Sequence, residues 1–161
     1  MSSLDLRSMN LKPDIRKFNI DEITTEFEKL GEPRFRAKQV YEWLWKKSAR
    51  SFGEMSNLSK TLRTKLTEGF SLAPVTESVV QKSKDGTVKL GMKLHDERLI
   101  EGVMIPEEDR STACVSSQVG CSLSCSFCAT GFLKRERNLD AAEIYDQVVL
   151  LNKYATEYNG K

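Results

Sequence analysis

Cys121, Cys125 and Cys128 stand in the run GCSLSCSFCATG at the spacing C-x3-C-x2-C. Three thiolates can hold three irons of a cubane [4Fe-4S] cluster and leave the fourth iron open to chemistry. Clusters that only carry electrons normally have a fourth cysteine. A zinc site would want four ligands, usually two Cys-x2-Cys pairs or cysteine with histidine. The one histidine, His95, lies far away in an apparent turn. A disulfide framework belongs to small secreted domains, and the N-terminal stretch MSSLDLRSMNLKPDIRKF has no apolar signal core. Cysteines buried merely as small apolar residues would not favour a Ser- and Gly-rich loop. The pattern therefore points to an open iron–sulfur site on Cys121, Cys125 and Cys128.

The elements that must position this loop follow from hydrophobic period. Residues 1–19 read as a loosely ordered lead-in, and helical spacing runs from Ile20 to about Ser71. Ile23, Phe27 and Leu30 make one stripe, stopped by Gly31. Pro33 precedes a second helix with Ala37, Val40, Tyr41, Leu44 and Trp45 on its apolar side, which leaves Trp43 as the surface aromatic. A third helix carries Leu58, Leu62 and Leu66. After Pro74 the period changes to two. Val75–Lys82 and the alternating Val88, Leu90, Met92 and Leu94 flank an Asp85-Gly86 hairpin turn. A strand follows over Leu99–Ile105, then the polar loop Glu107–Arg110 and a short apolar stretch, Thr112–Ser116. After the cysteines, Asp140 and Glu143 form a capping-box pair for a helix reaching about Tyr158, with Ile144, Val148 and Leu151 as its core face. The expected fold class is α+β to α/β: a helical domain over 1–72, a β-hairpin connection over 73–110, and a strand–cysteine loop–helix unit over 111–161. A βα unit of that kind wants parallel neighbours for its strand.

The chain has 161 residues and an overall charge of +2. No apolar run approaches a membrane span, and free-thiol chemistry without an export signal suits a reducing cytoplasm. Between Lys29 and Lys65 ten basic residues face only Glu32, Glu42 and Glu54. Such a segment serves either as a phosphate footprint or as a solvated helix face.

The cysteine spacing, with Phe127 before the last thiol, resembles the signature of radical S-adenosylmethionine (SAM) enzymes. The longer run CVSSQVGCSLSCSFCATG, Cys114 to Gly131, with Arg137-Asn138-Leu139 and Glu143-Ile144 downstream, closely resembles the RlmN family of dual-specificity RNA methyltransferases. PRFRAKQVYEWLW (33–45) and IPEEDRSTAC (105–114) fit the same family. The resemblance implies the start of a radical SAM partial (β/α) barrel and methylation of adenine C2 in 23S rRNA and tRNA through a methyl-cysteine. It implies a [4Fe-4S] cluster on Cys121, Cys125 and Cys128 and SAM on the open iron, and a protein that acts as a monomer with an electron donor such as flavodoxin. By the same resemblance Cys114 is the thiol that resolves a protein–RNA intermediate and Glu101 the acidic proton acceptor. Taken alone, Cys114 reads as a buried strand cysteine and Glu101 as an outward strand carboxylate.

One departure is Lys134-Arg135, at a place where the family often has Gly-Phe; these two and Arg137 are then expected to face RNA. The family's SAM-binding Gly-Glu motif and methyl-carrying cysteine lie downstream, and no cysteine follows Cys128. The 161 residues alone are therefore expected to be an N-terminal portion without methyl-transfer activity. Three alternatives stay open: the related adenine C8 methyltransferase, a non-catalytic RNA-binding module, and a plain iron–sulfur carrier.

Overall fold

The computed structural model describes residues 12–123, 125–126 and 129–160. They form two compact units that meet in sequence between Ala73 and Pro74. The fold is mixed helix and sheet, with helices alone in the first unit.

Three helices make the first unit: α1 (Ile20–Lys29), α2 (Arg34–Trp45) and α3 (Lys60–Gly69). Asn19 and Glu22 close a capping box on α1, and Ser59 caps α3. Their apolar stripes bury Ile23, Phe27, Ala37, Val40, Leu44, Leu62 and Leu66, joined by Phe52 and Met55 from the α2–α3 connection. Residues 12–19 are not a loose lead-in. Ile15 is fully buried, and its N–H donates to the Ser71 carbonyl at 3.1 Å while the Ser71 N–H donates to Pro13. Asp14 pairs with the buried Arg16, whose guanidinium also reaches the Ala73 carbonyl at 2.9 Å. Both ends of the unit are thereby tied together. The rest of the lead-in lies outside the described residues.

The α2 aromatics also differ from expectation. The buried stripe is Ala37, Val40 and Leu44, so Tyr41 stands exposed and Trp45 half-buried. Trp43 is half-buried too: its Nε1–H donates to Asn57 at 2.5 Å, and Lys47 covers its ring at 4.0 Å.

In the second unit, β1 (Thr76–Lys82), β2 (Val88–Lys93), β3 (Leu99–Pro106) and β4 (Ser111–Cys114) form an antiparallel meander in that order. The hairpin expected as a connection is half of this sheet and shares its core. The strand before the cysteines, β4, finds an antiparallel partner in β3, not parallel neighbours. Helix α4 (Ala141–Asn159) covers one face of the sheet, where Val88, Leu90, Met92, Ile100 and Met104 meet Leu150, Leu151 and Tyr154.

The helix face corrects a second expectation: Val148 is exposed, and Glu143, Asp146 and Gln147 are buried in its place. Loop main chain needs partners there. Val75 N–H donates to Asp146 at 2.9 Å, and the Gln147 amide bonds both the N–H (2.8 Å) and the carbonyl (3.0 Å) of Ser116.

Gly102 sets how close the helix comes. A Cβ there would lie 2.8 Å from Met92 Cε, 3.2 Å from Leu151 Cδ1 and 3.3 Å from the Cys114 carbonyl oxygen. Gly102→Val should destabilise the chain by about 2–3 kcal/mol through overpacking, read as a lowered midpoint in urea denaturation followed by circular dichroism. An unmoved midpoint would show that the helix can shift away.

Candidate cluster loop and active-site face

The cysteine segment is closed at its base before any metal is considered. Two short strands, β5 (Gln118–Val119) and β6 (Arg137–Asn138), pair antiparallel. Cys121 bridges Lys134, and its N–H donates to the Leu133 carbonyl at 3.1 Å. Glu136 N–H donates to Val119 and Leu139 N–H to Ser117. Gly120 makes this neck possible: its φ is +71°, and a Cβ would stand 2.2 Å from the Lys134 carbonyl oxygen.

Within the loop, Cys121 and Cys125 are half-buried, and the Cys121 sulfur accepts the Leu123 N–H at 3.4 Å. Cys128, with Phe127, lies outside the described residues. Among the described residues no group of three or more His, Cys, Asp or Glu could hold a metal, as expected when only two thiols of the motif are described. The donor chemistry fits an iron–sulfur cluster. Cys121 is held by main-chain bonds on a loop closed at its neck, and a main-chain N–H already points at its sulfur, the kind of contact that tunes such clusters.

Arg137, at the foot of the neck, is fixed inward and does not face outward as expected. Its guanidinium makes a two-pronged pair with Glu143, 2.8 Å on each prong, and donates to Asp96 at 2.9 Å. Glu143 also accepts the Asp140 N–H at 3.0 Å and lies 3.3 Å from His95 Nδ1. Arg98 pairs with Glu136 on the same side. Burial alone would raise the Glu143 carboxyl, but the Arg137 bonds and the Asp140 N–H outweigh it and hold it below the usual carboxylate range. Asp96 is held low by Arg137 in the same way, against its burial. The bonds to Glu143, then Asp96, raise Arg137 further despite desolvation. Lys134 and Arg135 remain exposed.

Glu101 and Cys114 lie on the sheet face opposite α4. Lys89 stands opposite Val103, Val103 opposite Cys114, and Gly91 opposite Glu101. Side chains of directly opposed residues share a face, so Glu101 and Cys114 are diagonal neighbours on adjacent strands. Both are exposed, which overturns the buried reading of Cys114 and keeps the outward one for Glu101. Lys89 Nζ pairs with Glu101 at 2.8 Å. Ser116 ties the pair's strands to α4: its hydroxyl donates to the Glu101 carbonyl at 2.8 Å while Gln147 holds its main chain.

The architecture is similar to that of a class of known proteins, the radical SAM methyltransferases. A solved radical SAM methyltransferase from Sphaerobacter thermophilus superposes with a TM-score of 0.79 at 36% identity, over 91% of this chain and 43% of that one. Residues 13–72 match the model of the ribosomal RNA large subunit methyltransferase N-terminal domain. A probable dual-specificity RNA methyltransferase RlmN of Cytophaga hutchinsonii is 58% identical over 147 residues, 91% of this chain and 40% of the relative. The dual-specificity RNA methyltransferase RlmN of Desulfotalea psychrophila is 42% identical over 85% of this chain and 38% of its own length. The chain belongs to the RlmN family and spans about two fifths of the length of these curated relatives.

Sequence reasoning missed Asp146 and Gln147. The signal was there: at the helical spacing of Leu150, Leu151 and Tyr154, the polar Glu143, Asp146 and Gln147 continue the same face.

Three outcomes follow from this geometry. Gly120→Ala, set against main chain that cannot give way, should abolish iron uptake on anaerobic reconstitution, measured as bound iron per chain. For Glu143, a lower pKa folded than unfolded means its ionised form stabilises fully above the unfolded value of about 4.3 and is lost as pH falls below it. Thermal midpoints between pH 7 and pH 3 should thus drop below about pH 4.5, with Glu143→Gln losing less over that window. Arg137→Met, which strands Glu143, should cost roughly 3 kcal/mol at pH 7.

Proposed function

We propose that the chain is the accessory and cluster-bearing part of a radical SAM RNA methyltransferase that methylates C2 of adenine in 23S rRNA and tRNA through a methyl-cysteine. The observation that carries this is the closed loop bearing Cys121 and Cys125, joined through Ser116 to a sheet face where Glu101 and Cys114 are diagonal neighbours. Cys121, Cys125 and Cys128 are the cluster ligands. A [4Fe-4S] cluster with SAM on its open iron would supply a 5′-deoxyadenosyl radical.

The chain's own residues do the rest. Glu101 stands unburied on a flat face, where a base can reach a flipped-out adenine and take its proton. Cys114, exposed at the end of β4, can attack as a thiolate and release the RNA by forming a disulfide with the methyl-carrying cysteine. In relatives that cysteine lies beyond this stretch, in the proposed partial (β/α) barrel.

The helical unit meets RNA. It carries thirteen basic against nine acidic residues over 12–73. Lys29, Arg34, Lys46 and Lys65 are paired with acids, whereas Lys38 and Lys60 carry no ion pair among the described residues. On α2, Arg34, Lys38 and the exposed Tyr41 rise along one line at helical spacing. Phosphates would meet the cations and an unpaired base the ring. The full-length protein acts as a monomer in the cytoplasm with a flavodoxin-like electron donor.

The test uses the full-length protein. After anaerobic reconstitution, SAM should change the cluster's EPR spectrum, and mass spectrometry of treated rRNA should find 2-methyladenosine. 8-Methyladenosine would assign the related C8 reaction instead. RNA affinity that survives serine at all three cluster positions, with no methylated product, would leave only an RNA-binding module.

A further inference from the structure

We infer that Lys89 is the positioning residue for Glu101. This rests on the reading of Glu101 as the proton acceptor. Lys89 Nζ lies 2.8 Å from Glu101 Oε1, and it is the one counter-charge bonded to that carboxylate among the described residues. The register explains how it reaches. Lys89 is not opposite Glu101 but diagonal to it; the residue directly opposite is Gly91. Gly91 puts no side chain of its own between them, so the lysine stem turns toward the carboxylate, with Val79 of β1 on the glycine's other side. Val103 separates Lys89 from Cys114 along their shared row. Glu101 thus has diagonal neighbours on both sides, the bonded ammonium of Lys89 on β2 and Cys114 on β4.

The pair is not there to hold the fold. The side chains are 43% and 59% exposed, and exposed ion pairs add little to stability. Its effect is on direction. A free glutamate samples many rotamers, and a base works only when aimed at the proton it takes. The ammonium fixes one carboxylate oxygen and leaves the other free to accept. Lys93 is the other cation on this face of β2, and its partner is Glu97, so it does not compete for Glu101.

The experiment uses full-length protein and compares Lys89→Met, Lys89→Arg, Glu101→Gln and the double variant Lys89→Met/Glu101→Gln. Methylation should fall about tenfold in kcat for Lys89→Met with KM for RNA unchanged, because aim is lost and binding is not. Lys89→Arg should recover most of the rate. The double variant should be no slower than Glu101→Gln alone, since a positioning residue has nothing left to position. The thermal midpoint of Lys89→Met should stay within about 2 °C of the parent. An unchanged rate, or additive losses in the double variant, overturns the inference. So does a raised KM with a salt dependence of apo-protein RNA affinity shallower by about one unit, which would make Lys89 a phosphate contact. Wild-type protein that leaves RNA unmethylated overturns the functional reading, and the inference with it.

Discussion

A carboxylate as buried as Glu143 is tolerable only when its lone pairs are used. Its side chain is 4% exposed, and three parts of the second unit converge on it. One contact caps α4 through Asp140, two prongs hold Arg137 at the foot of the cysteine loop, and His95 approaches from the β2–β3 turn. The start of the helix, the return of the loop and the sheet turn are therefore not independent. Asp146 and Gln147 extend the same logic along α4, gripping the main chain before β1 and after β4. A purely apolar helix face would pack as well against the sheet but would leave those loop amides and carbonyls without partners.

This division of labour gives the sheet two unlike faces. The inner one is closed by apolar side chains and by Gly102, where a Cβ would crowd Met92 Cε, Leu151 Cδ1 and the Cys114 carbonyl. The outer one carries Lys89, Glu101 and Cys114 without burial. Since strand register alone decides which residues share a face, the single pairing Val103↔Cys114 puts thiol and carboxylate on one side. A slip by one residue would move the thiol to the opposite face. The helix holds register from behind through Ser116, which bonds the Glu101 main chain in front and Gln147 at its back.

Much of this was legible in the residues. The alternation of Val88, Leu90 and Met92, the Asp85-Gly86 turn and the Asp140/Glu143 box belong to local chemistry, and local chemistry is what periodicity and capping report. What was not legible depends on long-range partners. Ile15 looks like part of a polar tail until Ser71 is beside it. Tyr41 and Trp43 differ by half a turn's rotation, and only the position of Asn57 shows that Trp43 is the one turned inward. Val148 fits an apolar stripe by spacing, yet the helix is rotated so that polar groups meet the loops. Arg137 read as a surface cation because only the closing of the neck brings its guanidinium onto both Glu143, six residues on, and the distant Asp96.

The neck of the cysteine loop bears on how the three thiols would share the proposed cluster. Gathering ligands from a flexible segment costs loop-closure entropy, and that cost opposes metal binding when the site is formed only by the metal. Here segment 121–134 has its ends joined by main-chain bonds and by the β5–β6 pair, with Arg137 locked to Glu143 just outside. Cys121 sits on the neck itself, so its sulfur is placed by the fold, whereas Cys125 lies in the interior of the loop. On the proposed reading the two described ligands would be unequal, Cys121 anchored at the neck and Cys125 within the loop. In the proposed enzyme an anchored first ligand would give a growing cluster a fixed orientation relative to Ser116 and the sheet face, so that metal capture and placement of the open iron would be one event.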